Sequence, residues 1–144
     1  MFRAVLDTNV LVSARRSSGG ASNALLRAVD QLAFTMLVSV HVFLEYEAVL
    51  SRPEQLAACG LRRRDIERVL DDIAAIATPV RLAFRWRPTL LDPADDMVLE
   101  TAVNGGADAI VTFNLRHFEM VRQSFHCAVL SPGPALQHIG RRNS

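Results

Sequence analysis

The sequence contains no lysine: all sixteen basic residues are arginine. Without lysine there is no phosphate-binding P-loop, no Schiff-base chemistry and no receiver-type phosphorylation site, so several α/β enzyme classes drop out together. Cysteine is scarce as well. Cys59 and Cys127 lie far apart with no metal-ligand spacing around them, which excludes a disulfide framework and a zinc site and predicts a reducing, cytoplasmic setting. No apolar run exceeds strand length, and Asp7 interrupts the one near the start, so neither a secretory signal nor a membrane span is expected. A strong net charge is also missing. At +1 the chain cannot bind nucleic acid through bulk positive potential, although a local basic patch stays open.

The 144 residues suit one domain, residues 1–144, able to bury about two thirds of the surface of its unfolded chain. No repeat, low-complexity tract or linker divides it. Turn signals at Ser17 to Gly20, Arg52-Pro53, Gly60, Pro79, Pro88, Pro93, Gly105-Gly106 and Pro132-Gly133-Pro134 punctuate the chain. Ala4 to Leu6, Phe34 to Ser39, "DAIVT" and "CAVLS" read as short apolar strands, with Val80 to Phe84 a weaker fifth. Ala21 to Gln31, the stretch from Val42 to Leu50, Leu61 to Ala77 and the stretch from Asp95 to Gly105-Gly106 read as helices. Alternating apolar strands and helices predict a three-layer α/β/α sandwich around a mostly parallel sheet of four to five strands.

In such a sheet the strand C-termini and the N-termini of the following helices share one edge. Asp7 ends the first strand, Asp95-Asp96 opens a helix, Glu45 lies early in the helix after "FTMLVS", and Thr112 and Asn114 follow "AIV". Each has an ordinary structural reading. Asp7 and one of the later pair suit helix caps, Asn114 suits a turn, and Glu47 borders the apolar helix face as well as Glu45 does. Their conjunction carries more weight. Acids from three segments crowding one edge repel each other unless a cation compensates, and hard Mg²⁺ or Mn²⁺ takes one or two carboxylates plus waters. Such a metal activates water and stabilises charge on a phosphoryl oxygen, which points to phosphodiester hydrolysis.

Four blocks, "VLDTNVLVSA", "LEYEAVLSRP", "LLDPADDMVLETAVNGGADAIVTFNLRHF" and "VLSPGPAL", together resemble the PIN-domain family, in particular the VapC-like toxins of prokaryotic toxin–antitoxin pairs. The resemblance implies a metal-dependent endoribonuclease in which Asp7, Glu45 and Asp95 match the family's successive acids and Asp96 is a close companion. It favours Glu45 over Glu47 and Asp95 over Asp96. It also implies a small inhibitory antitoxin and a homodimer. Asn114 stands where many members carry a fourth acid; it keeps an oxygen donor but contributes no charge. His117 stands where similar chains place an Asp.

On this reading Asp7 and Asp95 hold Mg²⁺ or Mn²⁺, Glu45 and Asp96 order its waters, and Glu45 assists deprotonation of the attacking water. Thr112 and Asn114 position the hydrated metal or the scissile phosphate. Thr8 and Asn9 support them, and His117 contacts phosphate. Arg15-Arg16 and the cluster Arg85, Trp86 and Arg87 are candidate grips for RNA, whereas Arg62-Arg63-Arg64 reads as a salt-bridged helix face among acids. The rival reading is an inactive module that binds RNA or a protein partner. A haloacid-dehalogenase-type phosphatase would need an acid two residues after Asp7, where Asn9 stands.

Overall fold

The computed structural model describes residues 1–84, 90 and 92–142. Its strands are β1 (Arg3–Leu6), β2 (Thr35–Val38), β3 (Thr78–Pro79), β4 (Ala109–Val111) and β5 (Ala128–Leu130). They form one sheet in the order β3-β2-β1-β4-β5, with every neighbouring pair parallel. Ala4, Val5, Leu6, Ala109, Ile110 and Val111 are all fully buried. Strands covered on both faces have no reason to alternate polar with apolar residues, which explains their uniform composition.

The helices are α1 (Thr8–Arg16), α2 (Ala21–Asp30), α3 (Val40–Leu50), α4 (Pro53–Cys59), α5 (Arg63–Ile76), α6 (Pro93–Gly105), α7 (Glu119–Ser124) and α8 (Pro132–Arg142), with a short 3₁₀ turn at Leu115–Phe118 before α7. They cover the two faces of the sheet and complete the expected α/β/α sandwich. No helix among the described residues is long and apolar enough to cross a membrane. On α5, Ile66, Leu70 and Ile73 are buried on one side. Arg63 pairs with Glu67 on the exposed side, in keeping with the solvated face read from sequence.

The chain runs outward from β1 through β2 to β3, then returns to the other side of β1 for β4 and β5. Connections therefore leave β1 and β4 in opposite directions, and the sheet opens a crevice at their C-terminal ends, where ligands of open α/β sheets bind. Asp7 follows β1 and Thr112 follows β4 at this crevice.

Two expectations need correction. The weak strand at Val80 to Phe84 is absent: the edge strand is Thr78–Pro79, where a proline is tolerated because its neighbour lies on one side only. Val80 N–H still reaches the Val38 carbonyl, but the N–H groups of Ala83 and Phe84 donate to Asn104 Oδ1 on α6 instead of to a strand. Pro132-Gly133-Pro134 opens α8 and is not a turn. The first turn of a helix needs no N–H partner within the helix, so prolines fit there. The sheet itself is as expected, with five strands, all of them parallel.

Candidate active site

Asp7 both caps a helix and stands at the open edge. Its extended backbone ends β1, its N–H donates to the Val111 carbonyl, and α1 begins at the next residue. Oδ1 accepts the N–H of Thr8 at 2.8 Å, the N-cap bond anticipated for such a residue. Oδ2 accepts the hydroxyl of Thr112 from across the crevice, also at 2.8 Å. The same Thr112 oxygen accepts the N–H of Asn114, so one buried hydroxyl joins the two strand ends. Asn9, on the first turn of α1, accepts the N–H of Phe113 at 3.4 Å. Burial pushes the Asp7 carboxyl above its ordinary value. The Thr112 and Thr8 hydrogen bonds and the charge of His117 oppose that rise, while the charge of Asp92 adds to it.

The first turn of α6 supplies the second carboxylate and separates three acids by task. Asp92 is the N-cap, accepting the N–H of Ala94, and Pro93 follows as the first helical residue. Capping thus falls to Asp92, not to Asp95 or Asp96. Asp96 is buried with Oδ1 on the N–H of Leu90, which ties down the segment leading into α6. Asp95 meets His117, with Nδ1 to Oδ2 at 3.0 Å. Its carboxyl is pushed up to about 6, first by burial and then by the charges of Asp7 and Asp92, against the lowering pull of His117. Asp7, Asp92 and Asp95 thus act on one another as like charges at this edge, and Glu45 is not among the charges acting on Asp95.

Glu45 sits half-buried on α3, whose N-terminus is capped by Ser39 at the end of β2. Its neighbour Tyr46 is fully buried and donates its hydroxyl to the Leu6 carbonyl. Burial, and then the charge of Asp7, raise the Tyr46 hydroxyl well above the ordinary range. Tyr46 therefore anchors α3 beside Asp7. Sequence reasoning placed it in the apolar face but missed this tie, which no local pattern announces. Asp92 was missed too, although Asp followed by Pro is a helix-start signature.

Arg15 and Arg16 do not join the edge. Arg15 and Arg16 end α1, roughly 12 Å of helical rise from Asp7. Arg16 Nε and Nη2 bond to the Gln55 side chain, and Arg15 lines a cavity of about 220 Å³ between α2 and α5 with Asn23, Arg27 and Asp72. Arg85, Trp86 and Arg87 lie outside the described residues. The exposed Asn114 is held through its backbone N–H.

The chemistry of the donor set bears on whether a divalent cation fits this edge. Asp7 and Asp95 offer oxygen ligands, are nearly buried, and hold negative charge at a cost that a cation would relieve. A hard cation needs one or two carboxylates plus waters, so the pair fits Mg²⁺ or Mn²⁺. Among the described residues no group of three or more His, Cys, Asp or Glu side chains is placed to hold a metal ion, so the donors brought together here are the pair alone.

In fold, the chain is similar to a chain in the crystal structure of VapBC2 from Rickettsia felis bound to a DNA fragment from their promoter. The two share 14% identity at a TM-score of 0.62, covering 90% of this chain and 100% of that one. No curated protein sequence matches. The PIN domain profile matches residues 3–116, from the start of β1 through Asp7, Asp95 and Thr112 to the turn after β4. By that match, which spans most of the sheet and both carboxylates of its open edge, the chain belongs to the PIN domain family.

Proposed function

We propose that this protein is a divalent-metal-dependent endoribonuclease, the toxin of a toxin–antitoxin pair. The observation that carries the reading is the pair of buried carboxylates, Asp7 and Asp95, at the C-terminal crevice, with Asp95 raised first by burial and then by the charge of Asp7. Membership of the PIN domain family supports it. So does the likeness in fold to VapBC2, a complex solved on a fragment of its own promoter. The partner proposed is accordingly a small antitoxin that covers the acidic edge, and the same reading carries a homodimer in the cytoplasm.

Asp7 and Asp95 would hold Mg²⁺ or Mn²⁺, which supplies an activated water and neutralises charge on a phosphoryl oxygen. Thr112 fixes the rotamer of Asp7 by donating to Oδ2, and the Thr8 N–H fixes the other oxygen. His117 orients Asp95 through Nδ1, and its other ring nitrogen is assigned to an incoming phosphate. Glu45 is assigned to order water on the α3 side, and Asn114 to offer a neutral oxygen at the end of β4. Asp96 supports the site by holding Leu90, and Asn9 by holding Phe113.

The test is cleavage of single-stranded RNA by purified protein with Mn²⁺, Mg²⁺ or EDTA, for the wild type and for Asp7→Asn, Asp95→Asn and Glu45→Gln. Metal-dependent cleavage that falls at least a hundredfold in both Asp variants is expected. Tight RNA binding without cleavage in any metal would replace this reading with the inactive module.

A further inference from the structure

Phe113 has no role in the fold that accounts for its position. Phe2, Phe34 and Phe118 are buried, whereas two phenylalanines are exposed: Phe84, whose N–H is held by Asn104 near the C-terminal end of α6, and Phe113, directly after the buried Thr112, which leaves 50% of its surface in water. Its backbone is nonetheless fixed from two sides. Asn9 on α1 accepts its N–H, and the Thr112 hydroxyl that binds Asp7 also holds the N–H of Asn114. The ring is thus carried on a pinned segment of the acidic edge without being packed into the core.

The edge poses a binding problem that an aromatic ring solves. The two carboxylates repel the phosphates of an RNA strand, and the net charge of +1 offers no general attraction to offset this. Arg15 and Arg16 sit at the far end of α1. A base, unlike a phosphate, is neutral and can stack on a ring whatever its identity. Only unpaired RNA offers such a base, because duplex bases are already stacked on each other.

We infer that Phe113 is the stacking platform that holds one nucleobase of single-stranded RNA against the Asp7–Asp95 edge. The inference rests on the nuclease reading and makes the enzyme selective for unpaired RNA with little preference for base identity.

The test uses the full chain and a fluorescently labelled RNA oligonucleotide of mixed sequence. Steady-state cleavage with Mn²⁺ is measured for the wild type, Phe113→Ala, Phe113→Leu and Phe113→Trp, and binding by anisotropy is measured in an Asp7→Asn background. Phe113→Ala and Phe113→Leu should raise KM and Kd roughly 5- to 100-fold, the range of base–aromatic stacking, with kcat held within a few-fold, and Phe113→Trp should restore both. A set of oligonucleotides with one abasic nucleotide stepped along the strand should show a single sensitive position in the wild type that is lost in Phe113→Leu. If Phe113→Ala fails to fold, Phe113→Leu carries the comparison, since it keeps apolar bulk and removes the ring. Cleavage and binding by the wild type with unchanged KM and abasic profile in Phe113→Leu would overturn the stacking inference alone. A wild type that neither binds nor cleaves RNA would overturn the nuclease reading and the inference together.

Discussion

Replacing Asp95 by Asn should stabilise the metal-free protein at neutral pH, although it removes a residue assigned to the reaction. The Asp95 carboxyl is raised from 3.8 to about 6 by burial and by the charges of Asp7 and Asp92. The folded state therefore holds a proton that the unfolded state releases between about pH 4 and 6, so stability falls as pH rises through that window and the full cost is present above it. At about 1.4 kcal/mol for each pH unit between the two values, the cost is about 3 kcal/mol. Asn keeps an acceptor for His117 but loses the charge assistance, and the remaining gain is about 2 kcal/mol. For a chain of this length that raises the melting temperature by about 4–8 °C. The assay is thermal and urea unfolding of both proteins in EDTA from pH 4.5 to 7.5. The advantage of Asp95→Asn should be small at pH 4.5 and largest above pH 6.5. Millimolar Mn²⁺ should then stabilise the wild type and leave the variant unchanged. An advantage independent of pH, or a variant less stable than the wild type at pH 7.5, would refute the account of repelling carboxylates.

Thr112→Val removes the donor to Asp7 and the acceptor of the Asn114 N–H; a loss of about 1–3 kcal/mol in urea unfolding is expected, together with reduced cleavage at unchanged protein concentration. Tyr46→Phe keeps the ring but removes the hydroxyl bond to Leu6, and should cost about 1–2 kcal/mol with the circular dichroism spectrum unchanged. Gly105→Ala places a methyl 2.8 Å from Val80 Cγ2 and 3.0 Å from Leu37 Cδ1. It should destabilise by about 1–3 kcal/mol, part of which a second change, Val80→Ala, recovers; a fully additive pair would show that the crowding lies elsewhere.

Much of the architecture was legible because it is written in short-range patterns. Uniformly apolar runs marked β1, β2, β4 and β5, the helical spacing of Ile66, Leu70 and Ile73 marked α5, and Gly106, in the left-handed conformation, closes α6 where the paired glycines predicted. The sequence also explains the carboxylate at position 7, since a residue that ends a strand and caps the next helix is necessarily at the sheet's C-terminal edge. Where patterns misled, a long-range partner had intervened. Asn104 captured the backbone of Ala83 and Phe84 that would otherwise have extended a strand. The fall of Val10 and Leu11 into a helix directly after Asp7 depended on the cap itself.

Residue types and their order along the chain were enough to specify a parallel α/β sheet and to send several acids toward one edge, because periodicity and capping act over a few residues. Which carboxylates meet was decided by packing between segments distant in the chain. Asp95 reaches His117, Asp96 is spent on Leu90, and α1 carries Arg15 and Arg16 away from the crevice. Adjacent residues such as Asp95 and Asp96 are nearly equivalent as text. They part because a helix points successive side chains about 100° apart, so the two carboxylates meet different partners, His117 for Asp95 and the Leu90 N–H for Asp96.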